Sequence, residues 1–219
     1  MKTLSKNNIL LLIAYVFFLS IAAFYLMSYG KVQIHLYLNQ LVGNPVVDYF
    51  FYFITYLGDG AFTLLLLPII FFYNIRLGIC AGLSFGIAAL STNLMKYGFY
   101  DEVVRPWYVF QWIVHEKINY VDTSSMHLHN SFPSGHATQA FAIFFVLALY
   151  AKNLSVKYFF LAIALLTAFS RVYLSQHWLV DITIGSLVGS VSAIILFSLM
   201  IQKNKMERLN VPLLKLKNS

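Results

Sequence analysis

Charge is what this chain has least of. Of its 219 residues, 11% are Asp, Glu, Lys or Arg, while 60% are hydrophobic. A soluble domain carries roughly a quarter charged residues, so a water-soluble globular fold is excluded. Acids are the scarcer sign, eight against fifteen Lys and Arg, for a net charge of +7. In a membrane protein that excess more often reports basic cytoplasmic segments than nucleic-acid binding. Cysteine is nearly absent. Cys80 stands alone inside an apolar run, which excludes an intrachain disulfide. Internal repeats and low-complexity tracts are missing too, which argues against a solenoid or a disordered linker.

What the chain has instead is apolar runs. After Lys2 and Lys6 comes an uncharged stretch over residues 7–30. It is long enough to span a bilayer and longer than the core of a signal peptide, so it is expected to remain as a first span. Five further apolar segments follow. One lies within 47–73, interrupted by Gly58-Asp59-Gly60, and the true span starts either near Val47 or only at Gly58. The others are 77–95, the run after Pro133 up to Lys152, 158–174, and 178–201. Residues 31–46 are mixed in character, with Gly43-Asn44-Pro45, and read as an interfacial segment or loop. The expectation is an all-α polytopic membrane protein, one domain over residues 1–219, with six transmembrane helices.

Six spans place both termini on one side, and Lys and Arg favour the cytoplasm. With the termini inside, the inner segments hold Lys2, Lys6, Arg76, Lys152, Lys157, Lys203, Lys205, Arg208, Lys215 and Lys217. Of the acids they hold only Glu207. This predicts a bacterial cytoplasmic membrane, with an endomembrane as the alternative. Within the spans, Gly78, Gly82 and Gly86 recur every fourth residue, as do Gly185 and Gly189. Small residues at that spacing let helix backbones approach closely in lipid.

The same topology gathers polar residues at the outer face. Charges at a membrane are costly and by default functional. The third span runs outward to Lys96. The outer loop carries Arg105-Pro106, and the fourth span starts at Pro133-Ser134-Gly135-His136. The fifth ends at Ser170-Arg171, and the sixth begins with His177 and Asp181. Residues 177 and 181, four apart, share a helix face. A carboxylate on one imidazole nitrogen fixes the tautomer and frees the other nitrogen for attack. Taken alone, such a pair is more often a simple polar contact at a helix start. Arg105 and Arg171 offer planar donors suited to phosphate oxygens, and Lys96 a point charge. Each alone would read as snorkelling to headgroups. Ser134-Gly135-His136 opens a helix, where free backbone amides favour an anion. Ser134 is either a cap or a donor to that anion, and His136 stands where a general acid is needed. The outer loop also holds His115, Asp122, His127 and His129. A metal site on His127, His129 and Asp122 lacks the fuller ligand set usual for zinc, so no metal or other cofactor is expected. Asp59 reads as structural. Trp107, Tyr108, Phe110 and Trp112 suit an interfacial aromatic belt.

Taken together, these residues resemble the membrane type-2 phosphatidic acid phosphatases, relatives of the vanadium haloperoxidases. That family is marked by Lys-x6-Arg-Pro, Pro-Ser-Gly-His and Ser-Arg-x5-His-x3-Asp. The second is intact at Pro133–His136. The third is intact at Ser170, Arg171, His177 and Asp181. The first is longer here, with eight residues between Lys96 and Arg105, and a helix-to-loop transition would absorb the excess. The resemblance implies hydrolysis of a lipid phosphate ester or diphosphate through a phosphohistidine, without a metal. His177 would be the nucleophile, Asp181 its orienter and His136 the general acid and base. Lys96, Arg105, Ser134, Gly135 and Arg171 would hold the phosphoryl oxygens. Candidate substrates are undecaprenyl diphosphate, a lipid A phosphate, phosphatidylglycerol phosphate and phosphatidic acid, met in the bilayer, with no nucleic acid involved. A phosphotransferase using the same site, or a transporter or scaffold that keeps the fold, are the competing readings.

Overall fold

The computed structural model describes residues 5–124, 126–202 and 206–214, and among them every regular element is helical. The all-α expectation therefore holds. Four helices are long and apolar enough to cross a membrane. They are α1 (Lys6–Ser28), α5 (Ile75–Gly98), α8 (Leu154–Tyr173) and α9 (Leu179–Phe197), the last continued to Ile201 by a π turn. A fifth crossing is available from a broken pair. In it α3 (Pro45–Ile54) and a 3-10 turn (Thr55–Gly58) meet α4 (Gly60–Tyr73) at a bend of 63°. The sixth expected span is α7 (Gly135–Tyr150), an apolar helix of 16 residues. At 1.5 Å per residue that is about 24 Å, shorter than a hydrocarbon core of about 30 Å.

The helices start where short polar side chains can take up free amides. Ser5 accepts from Asn8, Asp59 from Ala61, Asn74 from Leu77, Ser134 from Ala137 and Asn153 from Ser155. Asp59 is thus both a cap and the hinge residue of the broken pair. Asn44 and Pro45 start α3 in the same manner, the asparagine capping and the proline at the first position. The second apolar segment therefore begins well before Gly58.

Helix α7 is the axis of the bundle, with α5, α8 and α9 around it and Phe141, Phe145 and Val146 fully buried. Its contact with α9 depends on the two glycines singled out in the sequence. A Cβ at Gly185 would lie 2.7 Å from the Ser134 carbonyl oxygen, and one at Gly189 would collide with the Thr138 carbonyl oxygen. The glycines of α5 behave differently. Gly78 packs under the Phe71 ring, but Gly86 has nothing within 4 Å of a built Cβ. The face of α5 toward α7 uses hydroxyls instead. Ser84 donates to the Ala142 carbonyl at 2.9 Å, and Thr92 to the Thr138 hydroxyl at 3.1 Å.

Hydrogen bonds sort the helix ends into two groups. At one end the Asn7 side chain donates to the Lys152 carbonyl at 2.9 Å. There too Asn74 donates to Asn210, and the Ile75 amide to the Val211 carbonyl. Arg76 donates to the Ile201 carbonyl at 3.1 Å. This end holds Lys6, Arg76, Lys152, Lys157 and Arg208; Lys2, Lys203, Lys205, Lys215 and Lys217 lie outside the described residues. At the opposite end α2 (Lys31–Asn39) lies across the α8–α9 turn. Residues 31–39 thus form a helix, with His35 buried beneath it. The His35 Nε2 lies 3.1 Å from the Ser175 hydroxyl, and Lys31 sits 5.0 Å above the Trp178 ring. Burial pushes the His35 imidazole down to about 4, so α2 docks with a neutral ring.

Candidate active site

The α8–α9 connection sets the geometry. The Arg171 carbonyl accepts from the Gln176 and His177 amides at 2.9 and 3.0 Å. Ser175 closes this turn with φ of 54°, a left-handed conformation uncommon for a residue with a side chain. His177 is thereby folded back over the end of α8. Helix α9 starts only at Leu179, so His177 precedes the helix and does not share a helical face with Asp181. The pair forms through capping instead. The Asp181 carboxylate reaches back to the Trp178 amide at 2.9 Å and so meets the His177 Nδ1 at 3.3 Å. The same oxygen accepts from the Ser131 hydroxyl at 2.5 Å, while Asp181 Oδ1 is buried without a hydrogen-bond partner among the described residues.

On the other side of the ring, Arg105 Nη1 lies 3.4 Å from His177 Nε2. A guanidinium only donates. Nε2 must therefore present its lone pair, which leaves the proton on Nδ1 facing Asp181. His177 is 2% exposed. Burial, and then the charges of Arg105, Arg171, Lys96 and His136, hold its imidazole well below the usual histidine range. It is neutral near pH 7, with its free lone pair on Nε2.

Arg105 directly precedes α6 (Pro106–Trp112), in the connection between α5 and α7, and its side chain makes no cap bond to that helix. Its guanidinium is fixed by the carbonyls of His129 at 2.9 Å, Gln176 at 3.1 Å and Asn130 at 3.3 Å. The long spacing from Lys96 is absorbed as the turn chemistry requires. Helix α5 ends at Gly98, Tyr100 and Val103 turn back on Met95 and Tyr100, and the Arg105 amide joins the Leu128 carbonyl. Lys96 remains within electrostatic range of Arg105, Arg171 and Asp181. Arg171 donates to the Thr55 hydroxyl at 2.8 Å, and its Nε is buried without a partner.

Ser134 is fully buried, with its amide on the Asp181 carbonyl at 3.1 Å and its hydroxyl capping Ala137. It locks the start of α7 onto the start of α9. In front of Gly135 there is open space, with nothing within 4 Å of a built Cβ. His136 and Arg171 line a cavity of about 380 Å³, together with Thr55, Asp59, His127 and Gln176. Lys96, Arg105 and Arg171 lie within electrostatic range of both His136 and His177, with Asp181 as the buried carboxylate beside His177, while Asp59 and Asp122 also line the cavity. Such a site favours a compact dianion, and fixed donors of this kind stabilise phosphoryl oxygens.

The considered metal group divides. Asp122 and His127 both line the cavity, Asp122 accepting from the Ser124 amide and hydroxyl, whereas the His129 ring packs on Tyr108. Among the described residues no three His, Cys, Asp or Glu side chains converge on one point. Of the expected aromatic belt, Phe110 is instead buried against His35 and Trp178, while Trp112 is exposed.

Several contributors escaped the sequence reading. Ser131 holds Asp181, and its signal was only its position just ahead of Pro133. Gln176 accepts from Arg105, as an unremarked neighbour of His177. Thr55 and Gly58 come from the broken pair and carried no motif at all.

Comparison with known proteins identifies the family. The sequence model of the PAP2 superfamily matches residues 77–205. Undecaprenyl-diphosphatase BcrC of Bacillus subtilis (strain 168) is 34% identical over 151 residues, covering 68% of this chain and 72% of that protein. The crystal structure of Aquifex aeolicus LpxE superposes with a TM-score of 0.67 at 25% identity, over 78% of this chain and 97% of that one. The first transmembrane PAP2-type phosphatidylglycerolphosphate phosphatase from Bacillus subtilis superposes at 0.62 with 28% identity, over 90% and 98%. The matched region encloses Lys96, Arg105, Ser134 to His136, Arg171, His177 and Asp181, and by this match and the curated relative the chain belongs to the PAP2 superfamily.

Proposed function

We propose that this integral membrane protein hydrolyses a phosphate ester or diphosphate of a membrane lipid through a phosphohistidine on His177. The observation that carries the proposal is the orientation of His177, with Nδ1 held by Asp181 and Nε2 turned to the cations. Nε2 attacks phosphorus while Arg105, Arg171, Lys96 and the Gly135 amide take the charge of the phosphoryl oxygens. The bond from the attacked phosphorus to its bridging oxygen breaks; that oxygen stays with the lipid, as an alcohol from a monoester or as a lipid monophosphate from a diphosphate, and a protonated His136 gives it a proton. His136 then takes a proton from water, which attacks the phosphohistidine and releases phosphate. Proton transfer of this kind contributes typically 10²–10⁴-fold. Fixed cations and the α7 amides supply the remaining stabilisation of a loose phosphoryl transition state.

Undecaprenyl diphosphate is the leading substrate, supported by the relative named for that activity. A lipid A phosphate, phosphatidylglycerol phosphate and phosphatidic acid follow. Six crossings, counting the broken pair and the short α7, would put the site at the outer face of a bacterial cytoplasmic membrane. Both termini would then be cytoplasmic and the chain a single domain. The basic end at Lys6, Arg76, Lys152 and Arg208 supports this orientation.

The test is a panel of these four lipids in detergent, scored by release of inorganic phosphate, with His177→Ala as the control. Wild type is expected to release phosphate from at least one lipid, and the variant to lose at least about 10³-fold while folded. Activity near wild type in the variant would sink the phosphohistidine. Transfer of the phosphate to a lipid, with none freed, would make the protein a phosphotransferase.

A further inference from the structure

The broken pair α3–α4 lies before residue 77, outside the region that defines the superfamily match. None of the three motifs reaches it. Yet its corner, Thr55-Tyr56-Leu57-Gly58-Asp59-Gly60, touches two motif residues. The Thr55 hydroxyl, 7% exposed, is the acceptor for Arg171 Nη1 at 2.8 Å. A Cβ on Gly58 would lie 2.7 Å from the His136 carbonyl oxygen, 3.0 Å from the His136 Cβ and 2.9 Å from Thr167 Cγ2. Only glycine allows the corner to press this closely on the start of α7. Asp59 caps α4 and lies within electrostatic range of Arg171.

The chemistry of the guanidinium gives this contact a purpose. Arginine presents five N–H donors in one plane. The side-on pair, Nε and Nη2, is the fork that grips two oxygens of a phosphate. Here Nη1 is tied back to Thr55, while Nε and Nη2 make no hydrogen bond among the described residues. Arg171 and Thr55 line the same cavity as His136. One anchored nitrogen fixes the plane of the guanidinium, and the fork is left for the substrate. A buried, long side chain without such an anchor would sample several rotamers and lose the fork geometry.

We infer that Thr55 is a positioning residue of the phosphate site, acting through Arg171, and that the Thr55–Gly60 corner forms the wall on which this site is assembled. The inference rests on the phosphatase reading and adds a residue to it. Thr55 touches no reacting atom. It sets the orientation of the group that does.

The experiment compares Thr55→Val, which keeps shape and loses the acceptor, with Thr55→Ser, which keeps the hydroxyl. Both are purified in detergent and assayed for phosphate release and for inhibition by inorganic orthovanadate, a five-coordinate mimic of the transferring phosphoryl group. Loss of one hydrogen bond to a charged group is on the order of tenfold. Thr55→Val is therefore expected to lower kcat/KM about tenfold and to raise the orthovanadate inhibition constant by the same factor. Thr55→Ser is expected to stay within about twofold of wild type on both. The thermal midpoint of each variant reports folding. A folded Thr55→Val with unchanged inhibition and turnover overturns the inference. If Thr55→Val does not fold, Thr55→Cys replaces it, since sulfur is a weak acceptor of similar size. Weakened orthovanadate inhibition there supports the positioning role. Failure of both to fold, with Thr55→Ser folded and active, assigns the hydroxyl to stability and overturns it as well. A wild-type chain that releases no phosphate from any lipid sinks the phosphatase reading, which separates that failure from this one.

Discussion

Two buried cations on one helix, Lys157 near the start of α8 and Arg171 near its end, show how the same residue class serves opposite purposes. Lys157 is 1% exposed, and its ammonium has three hydrogens. They go to the Asn8 side chain and to the carbonyls of Ala148 at 2.8 Å and Leu149 at 3.2 Å. Those carbonyls end α7, where the helix dipole is negative and the last oxygens have no helical partner. Lys157 is saturated, and it closes α7 as a C-cap from a neighbouring helix. Arg171 is 9% exposed, and among the described residues its side chain has Thr55 as its one hydrogen-bond acceptor. Arg105 and Lys96 lie within electrostatic range of it, and so does the Asp59 carboxylate, which is already engaged as the cap of α4. A buried cation with filled donors is architecture. A buried cation with empty donors, among like charges, awaits an anion.

Substitutions at the two ends break the comparison in different measurements. The largest effect is expected from Arg171→Lys, which keeps the charge and loses the fork. Phosphate release should fall by about 10²-fold in kcat/KM, the range seen when one fixed transition-state donor is removed, and the thermal midpoint should change little. A variant within threefold of wild type would show that charge alone suffices. At the opposite end, Lys157→Met leaves the α7 carbonyls and Asn8 unpaired. The expected loss is stability, about 1–3 kcal/mol for buried groups left unsatisfied, with kcat/KM per folded molecule unchanged within about twofold. A selective fall in turnover would instead tie Lys157 to the site.

The next effect is one of pH. The folded pKa of His177 lies well below its unfolded value, so the neutral nucleophile persists as pH falls through about 6.5. The acid limb of kcat/KM belonging to His177 should therefore appear only below the ordinary histidine range. The stability sign is the same: the unfolded chain binds the proton first, so folding weakens as pH drops below about 6.5. An acid limb at the ordinary value would mean that the cations do not act on His177. The smallest expected change is with EDTA. If cations and amides of the chain itself take the phosphoryl charge, as proposed, chelation should leave phosphate release within about twofold. Complete loss, restored by zinc, would return attention to His127 and His129.

The sequence carried the site further than it carried the fold. Lys96, Arg105, Arg171, His136 and His177 were assigned to one membrane face by span order alone, and they do surround one end of α7. Gly185 and Gly189 were readable as a close helix contact because their spacing repeats on one face. Gly86 has the same spacing and packs on nothing, since periodicity names a face and not its neighbour. The His177–Asp181 pair was read as helical and is made by a cap, because a helix start within two residues cannot be located from hydropathy. Residues 31–46 read as an interfacial segment or loop, and the helix over 31–39 was not legible because nine residues with one buried face have too little apolar surface to announce themselves.

By itself the sequence determined that this chain is helical, lies in a membrane, and brings Lys96, Arg105, Arg171, His136 and His177 together at one end. Those conclusions depend on apolar length and on residue type, which are local. Only the tertiary structure decided how each charge is answered. Lys157 and Arg171 both sit in polar spots of apolar α8, and nothing in their flanking residues separates a filled ammonium from an open guanidinium. The difference lies in partners far away in the chain, Asn8 and Leu149 for one and Thr55 for the other. Hydrogen bonds between distant segments are set by packing, and packing is where this protein distinguishes its scaffold from its site.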